Sequence, residues 1–198
     1  MMTEDRLREL YGDAQASAQK KVIDHIDVHV RRFLEACPFA VLATSDGDSL
    51  DLSPKGDPPG FIVVEDTKTI VVPDRPGNNR LDGMLNILSH PRVALLLLIP
   101  TVRETVRING TAKIVDDEDV TARHALNGRV PKTVLRIHVE EVMTHCGKSA
   151  LRSGLWDPNS WPTERPVANQ SEILRDHTML DMEILSDAEI EKRYRSML

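Results

Sequence analysis

The stretch Phe39-Ala40-Val41-Leu42-Ala43-Thr44-Ser45-Asp46-Gly47-Asp48-Ser49-Leu50-Asp51-Leu52-Ser53 decides the fold. A continuous apolar run gives way to a Ser-Asp-Gly-Asp cluster, after which apolar and polar residues alternate with period two. That is the pattern of a strand, a tight turn and a second strand. Downstream, Phe61–Val64 and Thr69–Val72 read as two short strands around Glu65-Asp66-Thr67-Lys68. Val93 to Ile99 is short, apolar and bounded by prolines, which marks a buried strand. Glu104 to Val115 and Val134 to Met143 alternate, with Leu135, Ile137 and Val139 on one face of the latter and Arg136, His138 and Glu140 on the other.

Helices surround this strand-rich centre. Thr3 caps a short helix that Gly12 stops. Val22, Ile26, Val30 and Phe33 recur at helical spacing, and Pro38 ends that segment. Asn78-Asn79 caps a helix carrying Leu81, Met84, Leu85 and Leu88. Asp117 to Leu126 is a modest helix, and Ser186-Asp187-Ala188-Glu189 is a capping box opening a last one. Strands and helices do not alternate regularly, which argues against a doubly wound parallel sheet. The chain reads as mainly β with peripheral helices (α+β), an antiparallel barrel. We divide it into a helical segment over residues 1–36 packed on the barrel, a barrel domain over 37–156, and an arm and helix over 157–198.

Composition narrows the function. The 198 residues carry 25 basic and 31 acidic side chains, a net charge of −6, so no global field attracts nucleic acid or an anionic membrane. Three Phe, two Tyr and two Trp leave little for a base-stacking platform. Cys37 and Cys146 follow no CxxC spacing, the N-terminus is polar, and no apolar run approaches a membrane span, so a cytoplasmic location is expected. Gly147-Lys148-Ser149 mimics the end of a phosphate loop, but Val142 stands where that motif needs glycine. His145 and Cys146 are neighbours in an extended segment and point apart, so they form no nucleophile–base pair. A buried Cys146 beside an ordinary histidine is the expectation, and no metal site is expected.

Four segments carry candidate chemistry. In Val72-Pro73-Asp74-Arg75-Pro76-Gly77-Asn78-Asn79-Arg80-Leu81 a strand ends, a loop turns and a helix begins. Helix-start amides with Arg75 and Arg80 suit an anion; an N-capped helix with solvated arginines has the same sequence. Asp51-Leu52-Ser53-Pro54-Lys55-Gly56-Asp57 is a strand running into a proline-stiffened loop that displays Ser, Lys and Asp. Thr105, Arg107 and Asn109 share one strand face, which alone means only a solvated face. Lys148 and Arg152 are i, i+4 on a short helix, with Trp156 beyond them.

Taken in order, these segments resemble the pyridoxamine 5′-phosphate oxidase-like family of FMN-binding split β-barrels. The likeness runs from about Phe39 to Pro158 and rests on the Phe39–Thr44 run, Ser53-Pro54-Lys55-Gly56-Asp57, Asp74-Arg75-Pro76-Gly77-Asn78-Asn79-Arg80 and Val106–Ala112, with His145-Cys146-Gly147-Lys148 near its end. The resemblance implies a homodimer with FMN in a groove between subunits. It implies that Arg80 binds the FMN phosphate, with Asp74, Arg75, Asn78 and Asn79 in the same loop, and that Lys55 and Ser53 lie near the flavin. Thr105 takes the place of a polar residue that approaches the ring, and Lys148, Arg152 and Trp156 close the site from the partner chain. The expected function is an FMN-dependent oxidoreductase acting on a small molecule. The alternatives are a deazaflavin-dependent reductase, or a non-catalytic flavin- or haem-binding protein, for which His138, His145 and His177 are the available axial ligands. Hydride transfer to a flavin requires no protein acid or base, so no catalytic residue is singled out. The chain departs from the oxidase proper: Asn79-Arg80 replaces an Arg-Lys pair, and Glu183–Leu198 lacks the substrate-binding Trp and Arg-His cluster. Both departures argue against pyridoxamine phosphate as substrate.

Overall fold

The computed structural model describes residues 1–198. Three helices open the chain: α1 (Glu4–Tyr11), α2 (Ala16–Lys20) and α3 (Val28–Ala36). Strands β1 (Phe39–Ser45), β2 (Leu50–Gly56), β3 (Val63–Val64) and β4 (Thr69–Pro73) follow, then helix α4 (Asp82–Ser89). Next come β5 (Arg92–Leu98), β6 (Thr105–Val115), α5 (Glu118–Ala122) and β7 (Val134–His145). Helices α6 (Lys148–Ser153), α7 (Gln170–Thr178) and α8 (Asp187–Met197) end the chain. All seven strands form one sheet in the order β2-β1-β5-β6-β7-β4-β3, antiparallel at every pairing. The sheet is not closed by hydrogen bonds. It curls until β2 and the end of β4 approach, where Lys55 Nζ and Asp74 Oδ1 stand 3.2 Å apart.

The inner face holds the core: Ala40 and Leu42 of β1, Val93, Leu95 and Leu97 of β5, Val106 and Ile108 of β6, and Leu135, Ile137 and Val139 of β7. Helix α3 plugs it with Val30 and Leu34. A fully buried leucine is worth about 2 kcal/mol, so this aliphatic lining stabilises the sheet without many aromatics. A register shift between Asn109 and Gly110 leaves Glu140 unpaired on β7. A Cβ at Gly110 would lie 2.0 Å from the His138 carbonyl oxygen, so only glycine allows this approach. The bulge restores Val142 to the core and turns Glu141 outward, where it accepts from Arg107 (2.6 Å) and Asn109 (3.0 Å).

Several elements differ from their sequence reading. The helical stripe from Val22 to Phe33 is a helix only from Val28, because Asp27 caps it through His29 and Val30. Before the cap, Ile23 exchanges two backbone hydrogen bonds with Val142, and Val22 is exposed. Strand β2 runs through Pro54 to Gly56 instead of breaking into a loop; Pro54 is tolerated because β2 is an edge strand. Phe61 and Ile62 are buried but only Val63–Val64 pair with β4. The helix after Asp117 is five residues long. Residues 157–169 are irregular apart from one 3₁₀ turn, but a helix, α7, follows, capped by Asn169 and Glu172.

Candidate functional site

The approach of β2 to β4 leaves a groove of about 890 Å³ on the inner side of the split. One wall is β2. Asp51, Ser53 and Lys55 pair across from Thr44, Leu42 and Ala40, all buried, so these three polar side chains face inward at the sheet edge. The floor is Leu42, Ile87 and Leu135. The second wall is the loop from Asp74 to Leu81 and the first turn of α4. Helix α4 seats close to β1 and β2: Asn86 Nδ2 donates to the buried Thr44 Oγ1 at 3.1 Å, and a Cβ on Gly83 would stand 3.3 Å from Asp51 Oδ2.

The loop does not cap α4 in the expected way. Its N-cap is Leu81, in the left-handed region at φ 53°, with no side-chain cap bond, and Asn79 is also left-handed at φ 59°. Asn78 instead accepts from the Arg80 backbone N–H at 3.1 Å. A left-handed leucine costs on the order of 1 kcal/mol. The amides of Gly77, Asn79, Leu81, Asp82 and Gly83 find no acceptor within the chain. A run of free donors beside a helix start, held at a conformational cost, is an anion-receiving arrangement.

Charges in the groove are largely compensated. Lys55 pairs with Asp74, both about three-quarters buried. Arg75 Nε donates to Asp57 Oδ2 at 2.6 Å and its Nη1 to the His124 carbonyl at 2.8 Å, so this arginine braces the split and is not free for a ligand. Burial lowers the His124 imidazole below its ordinary value, and the Arg75 cation adds to the effect. Arg80 is 76% exposed and its Nε reaches Asp82 at 2.7 Å. The groove thus gathers Ser53, Lys55, Asp74, Arg75, Asn78, Asn79 and Arg80. Sequence reasoning missed Asp51, quoted but not singled out, and Lys132. The latter enters because β7 pairs with β4, Pro73 opposite Val134, and no local signal announces that pairing.

Thr105, Lys148, Arg152 and Trp156 do not line this groove in their own chain. Thr105 pairs with His145 at the far end of β7. At about 3.3 Å per residue, the two ends of that strand are on the order of 30 Å apart. Trp156 is half-buried and donates from Nε1 to the Val102 carbonyl at 2.9 Å. Lys148 and Arg152 are exposed on α6, as the i, i+4 spacing implies. Cys146 is exposed, not buried, because β7 ends one residue earlier; the Lys148 backbone amide and then its ammonium hold the thiol below its ordinary value. Cys37 is the buried cysteine, and burial raises its thiol. His138, His145 and His177 all lie outside the groove.

The family profile described as pyridoxamine 5′-phosphate oxidase matches residues 26–146. The chain belongs to that family. Solved structures are similar to the chain at low identity. A HupZ variant from Group A Streptococcus superposes with a TM-score of 0.51 at 20% identity, covering 61% of this chain and 99% of that one. General stress protein 26 from Bacillus anthracis gives 0.45 at 13% identity, covering 58% and 88%. No curated protein matches the chain. Residues 1–25 and 147–198 lie outside the family match. No helix of the protein is long and apolar enough to cross a membrane.

Proposed function

We propose that the groove binds FMN and that the protein is an FMN-dependent oxidoreductase acting on a small organic molecule. The observation that carries this is the groove itself: an apolar floor, free amides and Arg80 at one end, and Ser53 and Lys55 along the β2 wall. Those features fit a ligand with a flat apolar part and a phosphate. Members of the family generally bind flavin and are typically dimeric. Bound FMN supplies the two-electron chemistry, while the chain's residues bind, orient and exclude water. The loop amides and Arg80 hold the phosphate, and Lys55, fixed by Asp74, keeps a cation beside the ring end.

Pairing of two copies completes the proposal. The outer face of β2, β1 and β5 presents Leu50, Leu52, Phe39 and Leu96, exposed between 38% and 84%, on one contiguous surface. A second copy is the occupant that also resolves the separation of the two clusters. Thr105 lies beside the far end of β7 and Lys148, Arg152 and Trp156 follow that end, so in this proposal they serve the partner's groove. Anaerobic addition of NADH, NADPH or a reduced deazaflavin to the FMN-loaded protein tests the activity. Bleaching of the flavin by one donor, and its reoxidation by an acceptor, is the expected result. A flavin that no donor reduces marks a binder without turnover.

A further inference from the structure

Four cations line the groove: Lys55, Arg75, Arg80 and Lys132. Three are committed to carboxylates, Lys55 to Asp74, Arg75 to Asp57 and Arg80 to Asp82. Lys132 alone among them makes no ion pair and no side-chain hydrogen bond, and it is exposed. Its backbone is nevertheless well placed. Pro131 before it is buried, and the β4–β7 ladder continues one step beyond Pro73 and Val134, where the Asp74 N–H donates to the Thr133 carbonyl at 3.1 Å. Lys132 comes next, facing the start of the loop whose amides lack acceptors.

We infer that Lys132 is a phosphate-binding cation of this groove, taking the anionic end of the ligand together with Arg80; the inference rests on the flavin reading above. Physical chemistry favours it over Arg75. A phosphate reaching Arg75 must displace Asp57, whose side chain is only 9% exposed, whereas one reaching Lys132 displaces water alone. The lysine's flexible stem and three donors suit a phosphate whose position is set by the loop amides. Of the groove's other carboxylates, Asp51 lies against Gly83 on the α4 side, and Asp74, beside Thr133, is already neutralised by Lys55.

The test compares FMN with riboflavin, which lacks the phosphate, by quenching of flavin fluorescence on the full chain. Lys132→Ala is expected to weaken FMN about tenfold, the scale of one charge-assisted contact in partial solvent, and to leave riboflavin unchanged. Lys132→Arg is expected to retain FMN within about threefold, while Lys113→Ala, an exposed lysine outside the groove, changes neither. Equal losses for both flavins, or none for FMN, overturn the assignment. A wild-type protein that binds neither flavin overturns the flavin reading instead. Inorganic phosphate alone then decides the subsite: a rise in melting temperature that Lys132→Ala abolishes supports it, and an undiminished rise overturns it.

Discussion

The two cationic clusters of this chain look alike in sequence and differ in structure. At the split of the barrel, Lys55, Arg75 and Arg80 each sit against an aspartate, two of those pairs largely buried. At the far end of β7, Lys148 and Arg152 stand in solvent beside a tryptophan tied to a main-chain carbonyl. The difference teaches that a basic residue near a groove is not thereby a ligand contact. Arg75 holds two segments together, and its removal should be felt as unfolding. Lys148 and Arg152 make no side-chain bond within the chain, and on the proposed pairing their removal should be felt only through a second copy.

The largest expected effect follows from that contrast. Asp57→Ala strands a three-quarters-buried Arg75 guanidinium and should cost about 2 kcal/mol in urea denaturation, somewhat below the range for a fully buried pair because Arg75 is a quarter exposed. Arg152→Ala should stay within about 0.5 kcal/mol of wild type. Equal stabilities for the two variants would erase the distinction between clusters. Next comes Arg80→Ala, exposed and therefore neutral for stability, with FMN affinity lowered by about tenfold in calorimetric titration. Unchanged affinity would move the phosphate away from the α4 loop. Trp156→Phe removes the bond to Val102 and should cost about 1 kcal/mol. Its effect on FMN should appear only at protein concentrations where two copies associate, seen by sedimentation in parallel with binding. The smallest perturbation separates the cysteines: a thiol reagent at pH 7.5 should consume Cys146, exposed and with its thiol held below the ordinary value, and spare Cys37 until denaturant is added.

Much of the fold was legible because its signals are local. The run from Phe39 to Ser53 carries a strand, a turn and a strand in its own pattern, and the structure pairs Thr44 with Asp51 and Leu42 with Ser53. The candidate loop was legible because a strand end, glycine, prolines and two arginines follow one another. Long-range features were not. Lys132 joins the groove only through the pairing of β4 with β7, and Val22 leaves its helical stripe because its neighbour Ile23 bridges to Val142. The left-handed Leu81 defeats the expectation that Asn78-Asn79 caps α4, since the aspartate that follows already begins the helix. Helix α7 has a capping box, Asn169 with Glu172, but Ile173 and Leu174 are its only large apolar residues, so no apolar stripe marks it.

In the proposal above, the split between β2 and β4 is a flavin groove. The most direct measurement is a titration of the purified chain, first stripped of any bound small molecule, with FMN, followed by flavin fluorescence and visible absorbance. Saturable quenching at one FMN per chain, abolished or strongly weakened when Arg80 and Lys132 are both replaced by alanine, is the predicted result. A chain that remains colourless and leaves FMN fluorescence untouched would contradict it.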